Sequence, residues 1–329
     1  MTHILRLTSV ALLVACAGRP PAGDVAAPVA APSDFLAARP GCPALPVLDS
    51  ASMLRDVWRL ADDSMRGRLI GSPGAHAARD LLAARFDALG IAAPAGGRLQ
   101  RIPVSNARLP GVEAAWNVLA VVPGTRQPAR WIVVTAHYDH VGIGRAVAGD
   151  SIYNGADDNA AGAAALPALA QHFARHPLGH SLLFAAVDGE ERGMPGSRGL
   201  VDSMPFARAD VALNVNLDMV SRNERGELFL AGPGRYPALA SLAEASVACA
   251  PVTLRLGHDT EAAGPGNDWT SQSDHAAFHR VGIPFLYFGV EDHPDYHRPS
   301  DHADKVMPGF YLNAVRTVAD VMRRYDAAN

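Results

Sequence analysis

Apolar residues follow two rhythms along this chain. Trp116–Val122, Trp131–Ala136, Ser181–Val187, Val211–Leu217 and Pro284–Val290 are short apolar runs bounded by turn residues. Their length suits strands, and runs as continuous as Trp131–Ala136 are expected where a sheet is covered on both faces. Pro123-Gly124 is the turn signal between the first two runs, so these read as neighbouring strands joined by a short loop. Glu227–Ala231 reads as one further short strand.

The second rhythm is helical. Met53, Leu54, Val57, Trp58 and Leu60 make Ser50–Ala61 an amphipathic helix. Ser72-Pro73 is a cap followed by proline at the first helical position, which opens His76–Leu89, and Gly90 stops it. Ala160–Arg175, Tyr236–Ala250 and Gly309–Ala327 complete the set, with Pro167 expected to kink the first of these. Val141–Gly155 and Thr260–Ser273 read as glycine-containing loops. Strands alternating with helices in this way predict an α/β three-layer sandwich, a mixed and mainly parallel central sheet flanked by helices. No internal repeat and no second strand set divides it, so 46–329 reads as a single domain.

The chemistry sits where these strands end. In open α/β sheets, ligands bind beyond the carboxyl ends of the strands. Trp131–Ala136 ends in His137-Tyr138-Asp139-His140, Ser181–Val187 in Asp188-Gly189-Glu190-Glu191, Val211–Leu217 in Asp218, and His297 follows the last strand. Nitrogen and oxygen donors without sulfur suit zinc, with cobalt or manganese as substitutes. His137 and Asp139 project from one face of extended chain, so Asp139 is placed to fix the ring of a metal-binding His137. Glu190 and Glu191 are adjacent and diverge, which allows one to bind metal while the other carries a proton.

Five segments in order then resemble the motifs of the M28 family of dizinc aminopeptidases. They are His137-Tyr138-Asp139, Gly155-Ala156-Asp157-Asp158-Asn159-Ala160-Ala161-Gly162, Glu190-Glu191-Arg192-Gly193, Asn216-Leu217-Asp218-Met219 and Tyr296-His297-Arg298-Pro299-Ser300-Asp301. Ala161 stands where many relatives carry serine, and Asp188-Gly189 where others have Ala-Gly. The resemblance implies that Asp158 bridges two Zn2+ ions, with His137 and Asp218 completing one site and Glu191 and His297 the other. It implies Glu190 as general base and Asp139 as the residue orienting His137. Peptide is the implied substrate, cleaved at its N-terminus. Three other readings share parts of this pattern: a glutaminyl cyclase, a carboxypeptidase or deacylase of the M20 group, and a binding protein with a dead site. The M20 group resembles the chain less, because its members usually insert a dimerisation domain and only 78 residues separate Asp218 from His297.

Composition alters this picture in three places. Apart from Lys305 the basic residues are all arginine, but they are scattered, which argues against a nucleic-acid surface. Residues 1–15 carry His3 and Arg6 before the apolar Leu7–Ala15, too short for the roughly 20 residues of a membrane span, and read as an export signal. Leu13-Val14-Ala15-Cys16 resembles a bacterial lipobox. It makes Cys16 a lipid anchor at the head of a Pro/Ala-rich tether, 16–45, and places the protein at the cell envelope facing the periplasm, or secreted. The remaining cysteines, Cys42 and Cys249, are too few for a cysteine zinc site and are free to pair in an oxidising compartment.

Overall fold

The computed structural model describes residues 41–105, 109–260, 264 and 266–329. The export signal, the lipobox with Cys16 and most of the expected tether lie outside the described residues.

Eight strands form the main sheet: β1 (Leu99–Pro103), β2 (Ala114–Val122), β3 (Gln127–His137), β6 (His180–Val187), β7 (Val211–Leu217), β8 (Glu227–Ala231), β9 (Thr253–Leu256) and β10 (Phe285–Gly289). Their spatial order is β1-β2-β6-β3-β7-β10-β8-β9. The central neighbours β6, β3, β7 and β10 are mutually parallel, while β1, β2 and β8 pair antiparallel at the flanks. The sheet is mixed with a parallel centre, as expected. One strand pairing differs: β2 and β3 are not neighbours, because β6 lies between them and pairs with both. The turn that joins them is held by the start of β6 instead, with Gly124 N donating to Ser181 Oγ at 2.9 Å and Gln127 N to Gly179 O at 2.8 Å. Fully buried strands carry no sequence mark of their neighbours.

Alternation along the strands builds two hydrophobic layers. Ile132, Val134, Ala136, Leu182, Phe184 and Ala186 face one core, whereas Val133, Leu183, Ala185 and Val187 face the other. The first core is closed by α1 (Ser50–Leu60), α2 (Pro73–Ala88), α3 (Gly162–Arg175), α5 (Ala240–Cys249) and α7 (Pro308–Ala328). The second is covered by α4 (Pro195–Asp202) and α6 (His275–His279). Caps follow the sequence: Asp49 accepts from Ser52 N at 3.0 Å, and Ser72 Oγ from Ala75 N at 3.2 Å. α3 runs as one helix through Pro167. The stretch read as a loop after His140 instead contains a two-stranded hairpin, β4 (Gly142–Val147) and β5 (Asp150–Tyr153). Among the described residues no helix is long and apolar enough to cross a membrane.

Cys42 and Cys249 form a disulfide with Cα atoms 5.5 Å apart, fastening the segment before α1 to the end of α5. Within the stretch expected to be tether, Ala44 O also accepts a long hydrogen bond, 3.4 Å, from Arg323. Closing a loop of this length restricts the unfolded chain, so reduction is expected to cost about 2–4 kcal/mol. Urea unfolding with and without reductant measures it, and unchanged midpoints would show that the bond adds no stability.

Candidate metal centre

Parallel register brings the strand ends into line. His137, the last residue of β3, pairs with Val187, the last of β6, so the Asp188–Glu191 turn begins beside it. Asp218 follows β7, and its N–H donates to Phe288 O of β10 at 3.0 Å. Two glycines let the chain turn tightly here. Gly189 has φ +81°, and a Cβ on it would lie 2.6 Å from Ile70 Cδ1. Gly155 has φ +58°, and a Cβ there would lie 2.1 Å from Asp158 O and 2.5 Å from the His140 ring.

Asp158 stands at the centre. Its Oδ1 is 3.4 Å from His137 Nε2, which is also 3.2 Å from Asp218 Oδ1. Its Oδ2 is 3.1 Å from His297 Nε2, which in turn is 3.2 Å from Glu191 Oε1. The two oxygens of one carboxylate therefore face two separate donor groups. All five residues singled out as ligands in the sequence are brought together. His140 joins the second group, with Nδ1 2.7 Å from Glu191 Oε1 and 3.6 Å from Asp158 Oδ2. In each group the donor atoms lie within 4.8 Å of one another. Buried Glu191 Oε1, His140 Nδ1 and His140 Nε2 have no hydrogen-bond partner. Convergent, unsatisfied carboxylate and imidazole atoms of this kind fit a divalent metal and leave costly polar groups exposed to one another without it.

Asp139 does two things. Its Oδ1 is 3.6 Å from His137 Nδ1 and accepts from Glu190 N at 3.0 Å, so the same carboxylate faces the ring and fixes the acidic turn. His137 Nδ1 also lies 3.2 Å from Asp139 O.

Glu190 and Glu191 have opposite electrostatics, as their divergence requires. Burial pushes the Glu190 carboxyl well above the ordinary range, and Asp274, Asp218 and Glu191 add to this against the pull of His137. Burial also disfavours charge on Glu191, but the imidazoles of His140 and His297 outweigh it and hold that carboxyl well below the ordinary range. His297, although partly desolvated, is pushed up to about 10 by Asp158 and Glu191.

Around the cluster, other carboxylates are tied to backbone N–H groups. Asp301, in the motif quoted with His297, accepts from Asp157 N and Asp158 N at 3.0 and 3.1 Å. Asp157 accepts from Ser221 N and Oγ, both at 2.7 Å, and pairs with His293 at 3.2 Å. These partners lie far from it in sequence. Asp188 is buried and accepts from Trp116 N at 3.0 Å. Asp274 lies buried on the His137 side, its charge disfavoured chiefly by burial, with its pKa raised to about 7. A polar ladder leads to its loop through the sheet: Asn214 Nδ2 to Thr135 Oγ1, Thr135 Oγ1 to Asn216 Oδ1, and Asn216 Nδ2 to Ser273 Oγ. His258 stacks on Trp269 with ring centres 3.7 Å apart.

Arg68 is the residue that sequence reading missed entirely. It is fully buried, and its guanidinium donates to the carbonyls of Leu60, Tyr138, Asn154 and Gly155 at 2.6–2.8 Å. Burial lowers its pKa to about 10, against the attraction of Asp158, Asp139, Asp301 and Glu191. It thus stands as a fixed cation behind the carboxylates and staples the loops carrying Asp139, His140 and Asp158. Among so many arginines nothing in the sequence marked it.

A mixed sheet whose parallel strands end beside a carboxylate shared between imidazole groups defines an α/β protein built around a cluster of residues that could hold metal. The description of peptidase family M28 matches residues 117–322, and the chain belongs to that family. Aminopeptidase YwaD of Bacillus subtilis is 30% identical over 189 residues, 53% of this chain and 36% of that protein. A "Probable zinc metalloprotease" of Pyrenophora tritici-repentis is 34% identical over 122 residues, 36% of this chain and 25% of its own length. The matched segments are thus about a quarter to a third of these longer relatives. Among solved structures, a leucine aminopeptidase precursor from Bacteroides thetaiotaomicron superposes with a TM-score of 0.67 at 17% identity, covering 85% of this chain and 98% of that one. Glutaminyl cyclase of Porphyromonas gingivalis superposes with a TM-score of 0.68 at 17% identity, covering 84% and 98%. At such identities the superpositions establish the fold, which is the three-layer α/β sandwich the sequence predicts.

Replacing Arg68 with Met removes a donor from four carbonyls, of which Gly155 O keeps Ala160 N, and removes the buried countercharge. The variant is expected to lose about 3–5 kcal/mol of stability in urea unfolding. A loss under about 1 kcal/mol would show that the guanidinium is not needed to hold these loops.

Proposed function

We propose that this chain is an exported, metal-dependent aminopeptidase that removes N-terminal residues from peptides at a centre of two zinc ions, with cobalt or manganese as substitutes. The observation that carries the reading is the division of Asp158, whose Oδ1 faces His137 while Oδ2 faces His297. One carboxylate shared in this way suits a bridge between two metal positions. His137 and Asp218 would hold the first ion with Asp158, and Glu191 and His297 the second. When bound, such a pair polarises a scissile carbonyl and makes a water acidic enough to attack at neutral pH.

The chain's own residues supply the proton handling. Glu190 is anchored through its N–H to Asp139, and its carboxylate lies on the His137 side of the cluster. A carboxyl raised by burial accepts a proton readily, so Glu190 takes one from the attacking water and returns it to the departing amine nitrogen. Asp139 keeps the His137 ring in place while this happens. His297, with a side chain 40% exposed, marks the side on which the cluster opens to solvent and a peptide end enters.

The likeness to glutaminyl cyclase favours a second reading, because that fold match is as good as the match to an aminopeptidase. An N-terminal glutamine peptide separates the two: residue release supports the peptidase, and ammonia release with the chain intact supports the cyclase. For the lead reading, Glu190→Gln should retain zinc and lose about 10²–10⁴ of its turnover on aminoacyl and dipeptide substrates. A chelator should abolish wild-type cleavage of the same panel. Unimpaired hydrolysis by Glu190→Gln would falsify its role as base.

Export is supported by the Cys42–Cys249 disulfide, since such bonds persist in oxidising compartments. We place the protein at the cell envelope through a lipid on Cys16. Fatty-acid labelling of the expressed full chain should be lost in Cys16→Ser, and labelling that persists in the variant would exclude this anchor.

A further inference from the structure

We infer that His140 is a ligand of the second metal position, so that the two positions are unequal: His140, Asp158, Glu191 and His297 against His137, Asp158 and Asp218. The inference rests on the metal centre proposed above and adds a residue to which the M28 resemblance assigned no role.

Four observations support it. The His140 ring is fully buried, and neither ring nitrogen has a hydrogen-bond partner. Leaving such a group unsatisfied is costly in a buried site. Its Nδ1 comes within 2.7 Å of Glu191 Oε1, yet that oxygen is also without a hydrogen-bond partner. Donor atoms paired this closely in one buried group can both reach a single cation. The same Nδ1 lies 3.6 Å from Asp158 Oδ2, and His297 closes the group from the opposite side, its ring centre 5.6 Å from that of His140. The ring is also deliberately housed. Gly155 leaves room that any Cβ would fill, 2.5 Å from His140 Cγ and Cδ2, and His140 N donates to Arg68 O at 3.3 Å.

The count of donors has a chemical consequence. Zinc held by four protein ligands is saturated in tetrahedral geometry, whereas three ligands leave a position for water. The group with His140 therefore holds its ion as the tighter, closed one. The group with His137 and Asp218 has one protein donor fewer and would leave its ion a position for water.

The test uses the full chain loaded with zinc and is read as metal content, not turnover. Wild type should bind two zinc ions per chain and release them to a graded chelator in two separated stages. His140→Phe keeps a ring in the space beside Gly155 but has no donor; its tighter ion should weaken by at least about 100-fold, bringing the stages together. X-ray absorption of the zinc-loaded wild type provides a measurement that does not depend on any variant folding. Three imidazoles per two zinc ions support the inference. Two imidazoles per two zinc ions, or a folded His140→Phe that binds both ions with wild-type affinity, overturn it while leaving the aminopeptidase reading intact. A wild-type chain that binds no zinc overturns both.

Discussion

Negative charge crowded into one buried corner is the constraint on which the rest of this structure depends. Asp139, Asp158, Glu191, Asp218 and Asp301 all lie at one edge of the sheet, and burial pushes the carboxyls of Asp158 and Asp301 above the ordinary range. The fold handles them in two ways. Carboxylates that do not face the donor groups are tied to backbone N–H groups, as Asp301 is to Asp157 and Asp158, Asp188 to Trp116, and Asp139 to Glu190. Those that do face them, Asp158, Glu191 and Asp218, are left to the imidazoles of His137, His140 and His297. Arg68 supports both sets from behind, through the carbonyls of the loops rather than through the carboxylates themselves. Preorganisation here means that the backbone has been committed before any ligand arrives.

The parallel centre of the sheet explains why such a corner exists. Side chains just past the ends of β3, β6 and β7 share one edge because those strands run in the same direction and in matched register. His297 is the exception. It lies well beyond β10 on a loop and reaches the cluster with φ +51°, a conformation uncommon for a residue with a side chain. Its greater exposure follows from that origin, and so does its position at the mouth of the site.

Much of this was legible in the chain. Strand ends carrying His137, Glu190-Glu191 and Asp218 pointed to one edge, because apolar runs report strands and the parallel rule reports where ligands bind. Strand order was not legible: β2 and β3 are consecutive and both apolar, and nothing in either says that β6 will lie between them. The edge strands β1 and β9 were missed because Leu99–Pro103 and Thr253–Leu256 are short and part polar, with no continuous run to announce them. His140 was visible only as the second histidine of the His137-Tyr138-Asp139-His140 stretch; its burial, not its spacing, gives it meaning. Arg68 could be recognised only from tertiary contacts, since a guanidinium that binds carbonyls from four distant positions leaves no local pattern.

The Cys42–Cys249 bond also decides how the molecule carries mechanical load. A pull on the chain ahead of Cys42 does not fall first on α1, whose few turns would peel away one after another. It passes across the sulfurs into α5, which packs against the long C-terminal α7, and so spreads through the core as shear. Helices resist shear along a packed face far better than they resist being unzipped from one end, because many contacts must fail together. A fold pulled by its leading segment would thereby keep its carboxylate corner undistorted while the segment is stretched.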